Sequence, residues 1–455
     1  MNFESILKSQ QEFFKTNSSK DLVFRKTQLL KLKHLLLANE ERLSKAIYAD
    51  FSKSHFDTYT TEISFLYSEI DEAVKSLKKW AKRKKVKTNL VNLPGSSYII
   101  PEPLGVCFII GAWNYPIQLT FSPLIAAMAA GNTAILKPSK LPQHTSKVIT
   151  EIINNNFDSG YLISIEGGIA ETSKLLELKF DKIFFTGSVP VGKIVYEAAA
   201  KNLAPVTLEL GGKSPAIITQ CCDLKLTAKR LVWGKFLNAG QTCIAPDYVL
   251  VDEKIKNEFL SELKQEIKSQ NFSIQNGNFV QIINTKNFNR LVNLIDSQKV
   301  FDGGKFDAEE RIIEPTILHN VSLNDPIMQD EIFGPILPVL TYQSFDDALK
   351  IIHTFPKPLA SYIFTKDKKL KERFLNEISF GGGTINETLM HIANSNLPFG
   401  GVGQSGIGNY HGAFGFATFS HYKSIIEKPL WFEPSLKYLP HSTFKFKLIK
   451  WILNK

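Results

Sequence analysis

Two hydrophobic periods alternate along this chain. Between Leu22 and about Lys87 the apolar positions Leu29, Leu32, Leu36 and Leu43, then Ile47, Phe51, Ile63, Leu66, Ile70, Val74 and Leu77, recur near a 3.6-residue spacing. That spacing predicts a helical N-terminal layer. Its last stretch is basic (Lys78, Lys79, Lys82, Arg83, Lys84, Lys85, Lys87) and reads as a solvated helix face. The pattern then changes. Residues 104–111 form a continuous apolar run, as a strand buried on both faces requires. Small helix-forming residues follow at 126–131, and a second strand with its exit loop at 132–139. Residues 183–193 repeat the strand, glycine turn and helix start. Strand, helix and strand at this spacing predict a parallel, doubly wound sheet. At 206–210 apolar residues alternate into the turn at Gly211 and Gly212, which leaves Glu209 at a strand end. Residues 248–252 are another strand, and alternating segments continue to about Phe399.

Composition narrows the class. A chain of 455 residues with 44% hydrophobic content can bury a large core in more than one domain. Cys107, Cys221, Cys222 and Cys243 lack the spacing of a disulfide framework, which fits a reducing compartment. The N-terminus has no basic segment leading into an apolar core, so no signal peptide is expected, and no apolar run is long enough to span a bilayer. The nine histidines show no zinc-ligand spacing, and no metal is expected. A net charge of +10 is compatible with anionic ligands or surfaces, but no nucleic-acid recognition motif accompanies it.

Candidate chemistry centres on Cys243, set among small and turn-forming residues in Asn-Ala-Gly-Gln-Thr-Cys-Ile-Ala-Pro. A thiol that attacks a carbonyl is left acylated, and clearing the acyl group requires a base to activate water. Glu209 fits that need. A core cysteine and a capping glutamate are the commoner readings of the two residues taken singly. Asn114, directly after the apolar run, is placed to present its amide, although an Asn in such a loop is also an ordinary turn residue.

The strings VTLELGGKSP and NAGQTCIAP, with Trp-Asn-Tyr-Pro at 113–116 and PIMQDEIFGP at 326–335, resemble the aldehyde dehydrogenase superfamily, closest to its class 3, fatty-aldehyde-type branch, over roughly residues 22–423. The resemblance implies an α/β fold of two doubly wound parallel-sheet domains, Rossmann-like cofactor domain and catalytic domain, plus a small oligomerisation element. The expected boundaries are 1–208 for the cofactor domain, with 82–104 lending an oligomerisation strand, 209–415 for the catalytic domain, and 416–455 for a return segment and a basic aromatic tail. Cys243 is implied as nucleophile, Asn114 as oxyanion donor and Glu209 as the base for hydrolysis. A nicotinamide cofactor, NAD or NADP, is implied on Lys137, on the turn Gly187, Ser188, Val189, Pro190, Val191 and Gly192, and on Glu331 and Phe333. Relatives often carry an acid where Lys140 stands, so the lysine favours acceptance of NADP. The G-x-G-x-x-G match at Gly401–Gly406 lacks a preceding buried strand and is set aside as a nucleotide motif.

The implied reaction is oxidation of an aldehyde to its acid, with medium- or long-chain aliphatic or isoprenoid-type substrates favoured. Competing readings are a catalytically silent binding or structural protein and a thiol hydrolase, for which no partner histidine is evident. Transfer of the acyl group to coenzyme A is disfavoured by the presence of Glu209. The resemblance also implies a cytoplasmic homodimer built through strands near 97–101 and the segment after Gly415. The tail after Glu433 has five lysines, no acids and interleaved aromatic residues. Peripheral membrane contact and packing on a neighbouring subunit are both open for it.

Overall fold

The computed structural model describes residues 2–454. The chain forms two compact units: Met1–Trp80 with Pro103–Ser420, and Ala81–Glu102 with His421–Lys455.

The first unit contains two large sheets. A six-stranded sheet runs in the order Gly406–Ile407, Val206–Glu209, Lys182–Thr186, Val106–Ile110, Thr133–Lys137, Leu162–Ser164. All neighbours are parallel except the short Gly406–Ile407 edge, which runs against Val206–Glu209 with Gly406 opposite Glu209. The central strand Val106–Ile110 is buried at every position because helices cover both faces, so its unbroken apolar run is what the fold demands. One cover is the helix Gln118–Ala130, where twelve of thirteen residues are buried. It is longer than the 126–131 stretch that reads as helix, and it contains Pro123. Another is the helix Phe3–Lys15, absent from the periodic reading, whose Leu7 joins the core of Val106, Phe108 and Ile183.

The seven-stranded sheet is ordered Val300–Asp302, Thr316–Leu318, Ile336–Tyr342, Tyr248–Asp252, Pro215–Ile218, Ala360–Phe364, Gly382–Ile385, parallel except at its first strand. The predicted strand at 248–252 is therefore central, with Val249, Leu250 and Val251 fully buried.

In the second unit, Lys84–Val86, Ser96–Pro103 and Ser420–Glu427 make a three-stranded sheet. This corrects the expected basic helix face. The helix ends at Trp80, and Lys84–Val86 is a strand antiparallel to Ser96–Pro103, with Lys84 opposite Ile99. Cations at 82, 83, 84, 85 and 87 would repel one another at helical spacing. In the extended form Arg83 instead lies over the Tyr98 ring at 3.4 Å. The tail forms the helix Thr443–Leu453, with no buried residue.

Candidate active site

Four parallel strands of the six-stranded sheet deliver their C-terminal ends to one cavity of about 710 Å3, at Ile110, Lys137, Thr186 and Glu209. Ligands of open α/β sheets bind at this edge. The helix Val189–Lys201 starts at the cavity behind Gly187 and Ser188, and among the described residues no side chain caps its N-terminus, which suits an anion there. Gly192 in that turn packs against Leu210, where a Cβ would come within 2.7 Å of Cδ2. Lys137 is buried, and its ammonium donates to the carbonyls of Pro138 at 2.9 Å and Gly167 at 2.6 Å. Burial lowers its pKa to about 8, against the pull of Glu171. Lys140 lies exposed on the same wall, beside Gly168.

Cys243 reaches the cavity through an unusual backbone. Asn238 and Ala239 both adopt left-handed conformations (φ 55° and 51°) ahead of Gly240 at φ 71°. Such residues persist only when their surroundings enforce them. Here the enforcement is a ring of amide bonds. Asn238 Nδ2 donates to the Asn114 carbonyl at 3.0 Å, Asn114 Nδ2 donates to the Gln241 carbonyl at 3.1 Å, and Gln241 Nε2 donates to the Gln281 carbonyl at 3.1 Å. Tyr115 Oη shares a 2.7 Å hydrogen bond with Thr242 Oγ1, next to the thiol. Burial, then the carboxyls of Glu331 and Glu209, push the Cys243 thiol far above its ordinary range, although the backbone N–H groups of Cys243 and Ile244 oppose this. These surroundings disfavour the thiolate, and a cation placed in the cavity would favour it. Glu209 is only 2% exposed, neither carboxyl oxygen has a hydrogen-bond partner among the described residues, and burial raises its pKa well above the usual carboxylate value.

The opposite wall comes from the segment after the helix Pro326–Gln329. Lys213 anchors it, donating to Asp247 Oδ2 at 2.6 Å and to the carbonyls of Ile327 and Asp330 at 3.1 and 3.0 Å. The other Asp247 oxygen accepts from Ile332 N at 2.9 Å. Arg290 Nη2 holds the Ile332 carbonyl at 2.8 Å. These contacts bring Glu331 against Gly211, where a Cβ would lie 2.1 Å from Oε2, so a larger residue there would push the Glu331 carboxyl aside. Glu331 is raised to about 8, first by burial and then by Asp247. Phe333 takes φ 51° and meets Trp113 edge-on, ring centres 5.3 Å apart. A long cavity with orphan N–H donors, two lysines and glycines at its closest approaches fits a dinucleotide.

The aldehyde dehydrogenase family model matches residues 1–425. The chain belongs to the aldehyde dehydrogenase family. It is 49% identical over 443 residues to 4,4'-diaponeurosporen-aldehyde dehydrogenase of Staphylococcus aureus, covering 96% of both chains. It is 43% identical over 431 residues to the mouse aldehyde dehydrogenase named dimeric NADP-preferring, covering 94% of this chain and 95% of that one. A solved structure described as the substrate-bound state of Staphylococcus aureus AldH superimposes with a TM-score of 0.97 at 48% identity, covering 100% of both chains. The protein is thus a class 3-type aldehyde dehydrogenase that oxidises aldehydes with NAD or NADP.

Of the residues this aldehyde dehydrogenase's sequence singles out, Cys243, Glu209, Asn114, Lys137, Gly187, Ser188, Val191, Glu331 and Phe333 all line the one cavity. Val189, Pro190 and Gly192 build the helix turn behind it. Sequence reasoning missed Lys213, Asp247, Gln241 and Arg290. Lys213 and Gln241 lie inside the two quoted motifs and Asp247 directly follows the second, so the available signal was a charged or amide side chain within or beside each motif.

Proposed function

We propose that Cys243 is the nucleophile, Asn114 the oxyanion donor and Glu209 the hydrolytic base of a non-acylating aldehyde dehydrogenase. The carrying observation is that this thiol, this amide and an unpartnered buried carboxyl face the same cavity as Lys137, the open helix N-terminus and Glu331. The Cys243 sulfur attacks the aldehyde carbon, and the resulting oxyanion accepts from the Asn114 amide and the Cys243 N–H, each such donor being worth about 10² to 10³ in rate. When bound, the nicotinamide cofactor supplies the hydride acceptor. Glu209 then takes a proton from water as the water oxygen attacks the thioester carbon, the carbon–sulfur bond breaks, and the acid leaves. Lys137, the 187–192 turn, Glu331 and Phe333 hold the cofactor. Lys140 beside Lys137 supports acceptance of a 2'-phosphate, so NADP is turned over as well as NAD.

The domain division follows the same logic: 1–208 for cofactor, 209–415 for catalysis, 416–455 for return and tail. Substrates are medium- or long-chain aliphatic or isoprenoid-type aldehydes, a reading supported by the name of the staphylococcal relative. The protein pairs as a homodimer, as the mouse relative's name suggests by analogy. No helix among the described residues is long and apolar enough to cross a membrane, and the tail makes a peripheral contact instead.

The test is reduced-nicotinamide formation from a graded aldehyde series, with NAD and NADP in parallel and Cys243→Ala as control. Turnover rising with chain length and abolished in the variant is expected. Turnover that survives in Cys243→Ala would remove the nucleophile assignment, and none with any aldehyde would favour the binding-protein alternative.

A further inference from the structure

The loop that carries Asn114 is fastened by a buried ion pair from the N-terminal helical layer. Residues 111–117 join the strand Val106–Ile110 to the helix Gln118–Ala130, and Ile117, at the helix start, has no polar atom with which to cap it. Glu62 supplies the cap. Its Oε2 accepts from Ile117 N at 2.8 Å and from Gln118 N at 3.1 Å, three and four residues beyond Asn114. Its Oε1 accepts from Lys53 Nζ at 2.7 Å, and neither side chain of the pair is more than 1% exposed. A carboxylate here meets the positive end of the helix dipole, and all three of its hydrogen bonds are charge-assisted.

The same pair reaches the nucleophile's loop. Lys53 Nζ stands 4.2 Å from the centre of the Tyr115 ring, and Tyr115 Oη shares its 2.7 Å hydrogen bond with Thr242 Oγ1, one residue before Cys243. Glu62 itself lies in a π-helical turn, Tyr59–Ile63, between the α-helical segments His55–Thr58 and Ser64–Trp80. Such turns are rare and frequently lie at functional sites. Hydroxyls support this one: Thr60 Oγ1 donates to the Phe56 carbonyl at 2.8 Å and Thr61 Oγ1 to the Asp57 carbonyl at 2.5 Å.

A buried ion pair contributes little net stability, because desolvation offsets its attraction, and apolar residues of equal volume often serve a fold as well. What sets this pair apart is its placement. One carboxylate oxygen fixes the chain just beyond Asn114, and the paired ammonium supports the ring that reaches Thr242. We propose that Glu62, held by Lys53, is a positioning residue for the reaction, fixing the 111–117 loop so that the Asn114 amide meets the oxyanion formed at Cys243. The inference rests on Asn114 as the oxyanion donor, as proposed above. A misplacement of about 1 Å can cost about 10²-fold in rate, so a partly loosened loop should cost about tenfold.

The experiment is a double-mutant cycle on the full-length enzyme, with Glu62→Gln, Asn114→Ala and the two combined. It reads the rate of the first burst of reduced nicotinamide, kcat, and KM for NAD(P). Glu62→Gln keeps an oxygen for the two N–H groups but removes the charge. It is expected to slow burst and kcat about tenfold and to leave KM for NAD(P) within about twofold. In the Asn114→Ala background the same change should cost less than about twofold, since the group it positions is gone. The pair variant Lys53→Met/Glu62→Gln leaves no stranded ammonium, so it should regain the thermal midpoint lost in Glu62→Gln without regaining kcat. If Glu62→Gln does not fold, the pair variant takes its place in the cycle. A wild-type burst rate in Glu62→Gln, or losses that multiply with Asn114→Ala, would overturn the positioning role and leave Asn114 standing. Recovery of kcat together with stability in the pair variant would make the pair purely structural and overturn it too. Unimpaired turnover in Asn114→Ala would overturn both the donor and its positioning.

Discussion

At Asn114, proposed above as the oxyanion donor, the role of the side chain can be separated from that of the loop it sits on. Its amide gives one N–H to the Gln241 carbonyl, but the same carbonyl also receives Asn238 Nδ2 at 3.2 Å, and Asn238 holds the Asn114 carbonyl independently. Deleting the amide therefore leaves the ring closed while removing a donor for the oxyanion. Asn114→Ala is expected to lower kcat about 10² to 10³-fold while the unfolding free energy moves by less than about 1 kcal/mol. Stopped-flow turnover and denaturant melts on the same samples check this, and a large stability loss with little change in kcat would make the amide a strut. At this scale the sequence was informative where a motif placed a residue at the cavity, as for Cys243 and Glu209. It was silent about Ala239 at φ 51°, because nothing in an alanine announces a left-handed backbone imposed by neighbours.

The parallel strands at 106–110, 133–137, 182–186 and 248–252 were legible because strands buried on both faces have to be continuous apolar runs. The basic run after Trp80 reads as a helix face from its charges alone, whereas the family resemblance implies a strand within 82–104; its lysines carry no apolar period of either kind, and the pairing partner lies at Ser96–Pro103. Cross-chain anchors were equally invisible. Lys213, Asp247 and the 327–332 segment are far apart in sequence, yet their contacts decide where Glu331 and Phe333 stand. Lys213→Met leaves Asp247 buried without its partner, a loss of about 3–5 kcal/mol for such pairs. Lys235, a second buried cation within range of Asp247, should hold the value at the lower end. Because the tether also positions Glu331, the variant should show a raised KM for NAD(P) at temperatures where it is still folded. Denaturant unfolding and cofactor titration test the two parts, and an unchanged midpoint would sink the anchor.

Charge is distributed very unevenly over the molecule. The unit formed by Ala81–Glu102 and His421–Lys455 carries twelve lysines and arginines against three glutamates, hence nine of the ten net positive charges of the chain. The same unit exposes Leu430, Trp431, Leu439, Phe444 and Phe446, each by more than 60%. Cations interleaved with exposed aromatic residues suit an anionic lipid surface, where each lysine contributes about 1 kcal/mol and the aromatic rings enter the headgroup layer. The five lysines after Glu433 would then supply up to roughly 5 kcal/mol. We expect the full chain to pellet with phosphatidylserine vesicles and to be released as salt rises from about 0.05 M to about 0.5 M. A chain ending at Glu433 should stay in the supernatant with its aldehyde turnover intact, since no tail residue lines the cavity. Binding that survives the truncation would assign lipid contact elsewhere. If truncation instead converts a dimer to a monomer in light scattering, the aromatic face packs on a second subunit and the membrane reading falls.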